Sequence, residues 1–118
     1  MLQPREFIDA VHAAVYKTAI DGVIRLLGQP PGRRPRRNLS ELSSWYNGLD
    51  VPDRDRVQAV VRLAVDQAVF GMLAALDGSR TLGQDAEISL QSGGADLAAG
   101  HELHDLFRER VDHELGYD

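Results

Sequence analysis

The sequence predicts a mostly α fold, a compact bundle of about four helices with a small β-hairpin or strand before the last helix. Apolar residues recur at three- and four-residue steps along three long stretches. Glycine and proline fall between those stretches, where helices must end. The 118 residues are 43% hydrophobic and 26% charged, values that predict a single globular domain over residues 1–118.

The first helix is predicted over residues 4–27, with Gly28 as its C-terminal cap. A loop rich in proline and arginine follows over residues 28–38, and it holds a local positive charge from four side chains: Arg33, Arg34, Arg36 and Arg37. Asn38 and Glu41 have the spacing of a capping box, which predicts a short second helix over 39–47.

The third helix, over residues 53–77, has the clearest pattern in the chain. Its apolar residues follow one face without interruption, and from Ala68 onward the other sides are apolar as well. A helix that is apolar all round is normally buried, so we expect its second half to be the centre of the core. We also expect Trp45 and Tyr46 to cap one end of that core.

The segment after the third helix changes in character. Residues 87–91 alternate between polar and apolar, which predicts a half-exposed strand, and residues 81–82 are its expected partner. Gly93 and Gly94 predict a break. The last helix is expected to begin between Asp96 and His101 and to end at about 115.

Composition narrows the classes of function. There is no cysteine, so thiolate metal sites and cysteine nucleophiles are excluded. We find no signal peptide and no apolar stretch near the roughly 20 residues that cross a bilayer, so we expect a cytoplasmic protein without a membrane partner. The net charge of −5 disfavours nucleic acid. Arginine makes up 12 of the 13 basic residues, which indicates a GC-rich, bacterial genome.

One cluster could bind a metal. Imidazole and carboxylate are natural ligands for zinc or non-haem iron, and such groups recur on the first and last helices: His12, His101, His104 and Asp105. Neither the zincin spacing nor the di-iron bundle spacing is present, so a structural role for these side chains is favoured and no cofactor is expected. The chain also lacks a nucleophile elbow and a phosphate loop, so we do not expect an enzyme.

The last helix presents an acidic face. Its candidate partner-binding residues are Glu102, Asp105, Glu109 and Asp112. Such a face is often only solvated, but it could also dock a basic protein, because complementary charge raises the rate and specificity of association.

Two segments of the sequence carry a resemblance, residues 69–78 (VFGMLAALDG) and residues 103–107 (LHDLF). Over residues 57–111 the chain resembles small uncharacterised bacterial domains, some of which are similar to immunity proteins of toxin systems. The resemblance implies a helix, an Asp-Gly turn, a strand and a closing helix, and it implies no catalytic residue.

These observations favour a non-catalytic protein-binding module, with toxin immunity as its most concrete form. The alternative is a metal-binding helical bundle, such as a metal-dependent hydrolase. A third interpretation is a homodimeric scaffold that buries part of the third helix or Trp45 between two copies, so both a monomer and a homodimer remain open.

Overall fold

A computed structural model describes residues 2–83 and 88–116. The protein is mostly helical, with a two-stranded antiparallel hairpin before the last helix, which confirms the predicted fold class. The chain forms two compact units: Met1–Tyr16 together with Asp66–Asp118, and Lys17–Val65. That the 118 residues fold as one domain stays a prediction.

The predicted first helix is confirmed, with an unpredicted change of winding inside it. Helix α1 (Pro4–Val11) continues into a π-helical segment (His12–Tyr16) and then into α2 (Lys17–Gly28). Proline suits the first turn because the N–H that it lacks has no helical partner there. The π-helical segment widens the helix by about one residue per turn, and both of its end residues, His12 and Tyr16, are buried.

The core of the unit formed by residues 1–16 and 66–118 is built around the last helix, α5 (Leu103–Leu115). Phe107 and Leu103 are fully buried, and Tyr16 meets the Phe107 ring edge-on at 5.5 Å between ring centroids. Ile8 from α1 and Leu73 from α4 complete this core at 2% exposure each. Its apolar centre therefore belongs to α5 more than to the long apolar helix.

The unit formed by residues 17–65 packs α2 against α3 (Arg37–Asn47). Asn47 at the end of α3 donates to the carbonyl oxygen of Gly28 at 3.0 Å. Tyr46 is 5% exposed, and its hydroxyl accepts a hydrogen bond from Gln58 at 2.8 Å. Trp45 is 53% exposed, so the expectation that it caps the core is wrong. Adjacent helical residues point about 100° apart, so only one of the pair faces inward.

The start of α3 also differs from the prediction. The helix begins at Arg37, and the expected capping box does not form. The Asn38 side chain accepts the N–H of Leu39 at 2.9 Å, while Glu41 accepts from the Arg37 guanidinium at 2.9 Å. The Glu41 carboxylate that the capping box would use is therefore bound in an ion pair with Arg37, one helical turn earlier.

Helix α4 (Val51–Leu76) is the long apolar helix, and it is less covered than expected. The Asp50 carboxylate accepts the N–H of Asp53 at 2.9 Å and so caps its first turn. Only three of its 26 residues are buried: Leu73, Ala74 and Ala75. Met72 is 62% exposed, so the expected burial of the second half of the helix is wrong at that position, and in the first half Val60 and Leu63 are 64% and 60% exposed. A helix that is apolar on every side carries no periodic signal of which side is covered.

Helix α4 is also relevant to the question of whether the chain crosses a membrane. Among the described residues it is the one helix long and apolar enough to cross a bilayer by length and composition. The expectation that no stretch comes near that length is therefore wrong. One such helix is weak evidence for a membrane, because core helices of soluble proteins pass the same test.

The hairpin lies later in the chain than predicted. Strands β1 (Gln91–Ser92) and β2 (Ala95–Asp96) pair antiparallel in the register Gln91↔Asp96 and Ser92↔Ala95. Gly93 and Gly94 form the turn with φ of 58° and 84°, a left-handed backbone that glycine adopts without strain. Residues 81–82 and 88–90 are not strand, and residues 84–87 of the predicted hairpin lie outside the described residues.

The last helix begins later than Asp96. That carboxylate accepts the N–H of Ala98 at 2.8 Å within a turn, and Glu102 occupies the position before α5. The helix ends as predicted, with Gly116 in a left-handed cap at φ 79°.

Candidate functional site on α5

Helix α5 has two faces of opposite character. One face carries its four buried residues: Leu103, Leu106, Phe107 and Val111. The predicted partner-binding residues form what we call the acidic stripe, namely Glu102, Asp105, Glu109 and Asp112. At 100° per residue they lie within an arc of about 80°. The core contact of α5 therefore holds the acidic stripe on a fixed helical surface.

The members of the acidic stripe differ in their neighbours. The side chain of Asp105 is 75% exposed, and its Oδ1 lies 3.4 Å from Nε2 of His104. The side chain of Glu109 is 60% exposed and lies 3.3 Å from the Arg5 guanidinium of α1. Glu102 is exposed and Asp112 is half-buried. The stripe is accessible along its length, and its charge is only partly balanced by neighbouring cations.

Beside the stripe, a buried carboxylate links the end of α4 to the start of α5. Asp77 is 1% exposed. Its Oδ2 accepts a hydrogen bond from the backbone N–H of His104 at 3.1 Å and also contacts Nδ1 of the His104 ring. Its Oδ1 accepts the N–H of Ser79 at 2.9 Å. Every side of this buried charge is thus hydrogen-bonded, as a charge removed from water requires.

The protonation of Asp77 follows from those bonds. Burial by itself raises the pKa of this carboxyl, but the hydrogen bonds from His104 and Ser79 outweigh burial and lower the pKa from 3.8 to about 2. Asp77 is therefore ionised at neutral pH and serves as a fixed acceptor between two segments.

His101 belongs to the same junction. Its Nδ1 contacts the backbone oxygen of Asp77, and its backbone adopts φ 52°, the left-handed region that side chains other than glycine seldom occupy. Gly78 lies against the ring: a Cβ at that position would come 3.1 Å from Nδ1 of His101. The imidazole therefore fills the space over the Asp77-Gly78 turn.

A second charged pair adjoins this junction. Arg108 of α5 donates to Asp66 of α4 at 2.8 Å, and its guanidinium lies 5.0 Å from the centre of the Phe70 ring. The hydrogen bond to Asp66 raises the pKa of Arg108, partly opposed by burial, and the nearby charge of Asp112 raises it further. The Phe70 ring also meets the ring of His104 edge-on at 5.4 Å.

His12 lies elsewhere in this unit. Its ring is 2% exposed, stacks at 5.2 Å on Tyr16, and presents Nε2 to the carboxylate of Glu114. Glu114 and His104 are ten residues apart on α5, a separation of about 15 Å along the helix. His12 therefore contacts Glu114 near the C-terminal end of α5, whereas His104 contacts Asp77 near the N-terminal end of that helix.

The candidate metal set is thus divided between two structural contacts. His101 and His104 both engage Asp77, while Asp105 is exposed beside the far edge of the His104 ring. Within residues 2–83 and 88–116 no group of three or more histidine or acidic side chains is arranged to hold a metal ion.

A groove of about 180 Å³ lies between α1 and α5 over the apolar floor of Ile8 and Leu106. Its sides are joined by two ion pairs: Arg5 with Glu109 at 3.3 Å, and Arg110 with Asp9 at 3.4 Å. The volume is below the roughly 300 Å³ at which small-molecule pockets begin, so the groove is better suited to one side chain of a protein partner.

The residues that sequence reasoning missed are Asp77, Asp66 and Phe70. The sequence marks Asp77 as the end of a helix and as part of an Asp-Gly turn, and no local pattern ties it to a histidine 27 positions later. The acidic stripe was identified because its spacing is a property of one helix. Comparisons with protein-family models, with curated proteins and with solved structures found no match.

Proposed function

We propose that this protein is a non-catalytic protein-binding module that docks a basic partner protein on the acidic stripe of α5. The observation that carries the proposal is the placement of four carboxylates on one side of a helix whose opposite side is fully buried. A helix held by its buried face loses little backbone freedom on docking, and this lowers the cost of association.

The charge of the stripe supports a basic partner. Residues 102–112 span about 15 Å of helix, and within that length they hold four acidic residues against two arginines. Arg108 is already bound to Asp66, and Arg110 lies near Asp9. The field outside α5 is therefore negative, which attracts a positively charged surface and accelerates encounter.

The histidines give no comparable support for catalysis. In the described part of the chain, His104 is held between the buried Asp77 and the exposed Asp105, and His101 contacts a backbone oxygen. The hydroxyl of Ser79 donates toward the carbonyl oxygen of His101 at 3.4 Å and is not paired with an imidazole nitrogen. A nucleophile and its base need direct hydrogen-bond reach, which this serine does not have.

The most concrete form of the proposal is immunity to a basic protein toxin. An immunity protein must recognise one partner quickly and hold it, and complementary charge on a rigid surface serves both needs. The resemblance of residues 57–111 to immunity-like bacterial domains points in the same direction. The partner would present lysine and arginine side chains spaced to match one helical face.

Growth protection tests the proposal. The products of the genes that flank the gene for this chain are expressed one at a time in a bacterial host, with and without the chain. We expect one product to stop growth and the chain to restore it. The stripe variant Glu102→Lys/Glu109→Lys/Asp112→Lys should lose that protection, because it replaces three attractive charges with repulsive ones.

A matched control separates docking from net charge. The variant Asp21→Lys/Glu41→Lys/Asp55→Lys changes the charge by the same amount at exposed sites outside α5, and it too breaks one surface ion pair, that of Glu41 with Arg37. It should protect as the natural chain does. Full protection by the stripe variant would refute docking on α5, and failure to find a toxic neighbour would refute the immunity form.

A further inference from the structure

Helix α4 leaves a long apolar strip uncovered. Its residues Val60, Ala64, Ala68 and Met72 are all exposed, and they recur at four-residue steps. We call this row the α4 stripe. Residues four apart lie nearly above one another on a helix, so the stripe is a continuous ridge about 18 Å long. A soluble monomer seldom leaves such a ridge open to water.

We propose that a second copy of this chain covers the α4 stripe, so that two α4 helices pack antiparallel across a two-fold axis. Antiparallel pairing about the middle of the stripe brings Val60 opposite Met72 of the other copy and Ala64 opposite Ala68. Large residues then meet at both ends, while alanines meet at the centre, where the two helix backbones come closest.

The stripe is self-complementary, which favours a second copy over an unrelated partner. A two-fold dimer uses the same patch on both chains, so residue i must fit residue j and residue j must fit residue i. The order large, small, small, large reads the same from either end of the stripe. Antiparallel pairing satisfies this condition.

Charge selects the antiparallel direction. Within α4, residues 51–65 carry three arginines against two aspartates, whereas residues 66–76 carry Asp66 as their one charged residue. Antiparallel helices place the first part of one copy beside the second part of the other, so net charges of +1 and −1 face each other. Parallel helices would place like charges together.

The size of the stripe sets the expected affinity. Its four side chains supply less than the roughly 800 Å² that each partner contributes to a standard interface. We therefore expect a dimer that dissociates in the micromolar range. The prediction is independent of the acidic stripe on α5, because it concerns a different helix and needs no other protein.

Sedimentation velocity of the full chain from about 1 to 200 µM tests the proposal. We expect a monomer at the low end and a dimer at the high end. Ala68→Glu should keep the chain monomeric throughout, because it places a charge at the centre of the contact. Ala59→Glu is the matched control: it is the same substitution at an exposed alanine of the same helix, on the side opposite Ala68. The control should dimerise like the natural chain.

Single cysteine substitutions show whether the two α4 helices pair parallel or antiparallel, because the natural chain has no cysteine of its own. On mild oxidation, a mixture of Ala64→Cys and Ala68→Cys proteins should give mainly the mixed disulfide. Mainly like-with-like disulfides would overturn the antiparallel arrangement. A monomer at 200 µM, or equal dimerisation by both glutamate variants, would overturn the proposal. Flotation of the natural chain with phosphatidylcholine vesicles, abolished by Ala68→Glu alone, would overturn it in favour of a membrane.

Discussion

At the scale of single residues, Asp77 connects more of the structure than its place at the end of a helix would indicate. It is a buried charge that accepts backbone hydrogen bonds from Ser79 and His104 and contacts the ring of His104. Removing it would leave those partly buried donors without an acceptor, and an unmet buried group costs more than the net value of the bond.

We therefore predict that Asp77→Ala lowers the free energy of unfolding by about 3 kcal/mol. Chemical denaturation followed by circular dichroism measures the change. Asp55→Ala is the control, since Asp55 is an exposed aspartate, and it should change stability by less than about 0.5 kcal/mol. Equal effects at the two positions would show that Asp77 is not a structural link.

The depressed pKa of Asp77 predicts a pH dependence. Its folded-state pKa of about 2 lies below the ordinary 3.8, so its stabilisation is complete above about pH 4 and is lost as the pH falls toward 2. A difference of nearly two units corresponds to about 2 kcal/mol. The natural chain should lose that much more stability than Asp77→Asn between pH 6 and pH 2. A constant difference between the two proteins would contradict the prediction.

At the scale of elements, neighbouring residues of α3 show what a sequence pattern can and cannot predict. The sequence identified the helix, but it assigned both Trp45 and Tyr46 to the core. Amphipathic spacing cannot separate two adjacent aromatics when the helix is only three turns long. The choice depends on the partner side chain, and the Gln58 amide bonded to the Tyr46 hydroxyl lies 12 residues away.

Because Tyr46 is buried and Trp45 is exposed, we predict that truncating each to alanine lowers the free energy of unfolding by different amounts. Tyr46→Ala should destabilise the protein by about 3 kcal/mol, because it removes a buried ring and leaves Gln58 without its acceptor. Trp45→Ala should cost less than about 1 kcal/mol. Circular dichroism is the appropriate probe, since Trp45 is the only tryptophan. A larger loss of stability for Trp45→Ala than for Tyr46→Ala would contradict the assignment of Tyr46 to the buried side of α3.

The long helix α4 shows a second limit of sequence patterns, which predict that a helix forms but not which of its sides is buried. Its existence and approximate ends were predictable, because ten apolar positions follow one pattern and breakers flank them. Its burial from Ala68 onward was not predictable, because that part is apolar on every side and burial depends on which side the rest of the chain covers. The hairpin lies later in the chain than predicted. The sequence indicates a break at Gly93 and Gly94, but these two glycines are also the residues that a tight hairpin turn requires.

At the scale of the whole molecule, charge is divided along the chain more sharply than the net value of −5 indicates. Residues 17–65 are basic overall, and the rest of the chain is strongly acidic. The acidic stripe on α5 was predictable from sequence because it depends on one helix alone. The α4 stripe required knowledge of exposure, and the junction at Asp77 required knowledge of long-range contacts.

The central claim is that the acidic stripe of α5 docks a basic partner, and the association rate tests it most directly. The partner found by growth protection is mixed with the natural chain, the stripe variant or the control variant at about 0.05 and 0.5 M salt. Electrostatic docking predicts that the rate constant of the natural chain and the control falls about tenfold or more with salt. The stripe variant should be slow and nearly insensitive to salt. The same rate and salt dependence for the stripe variant and the control would contradict the claim.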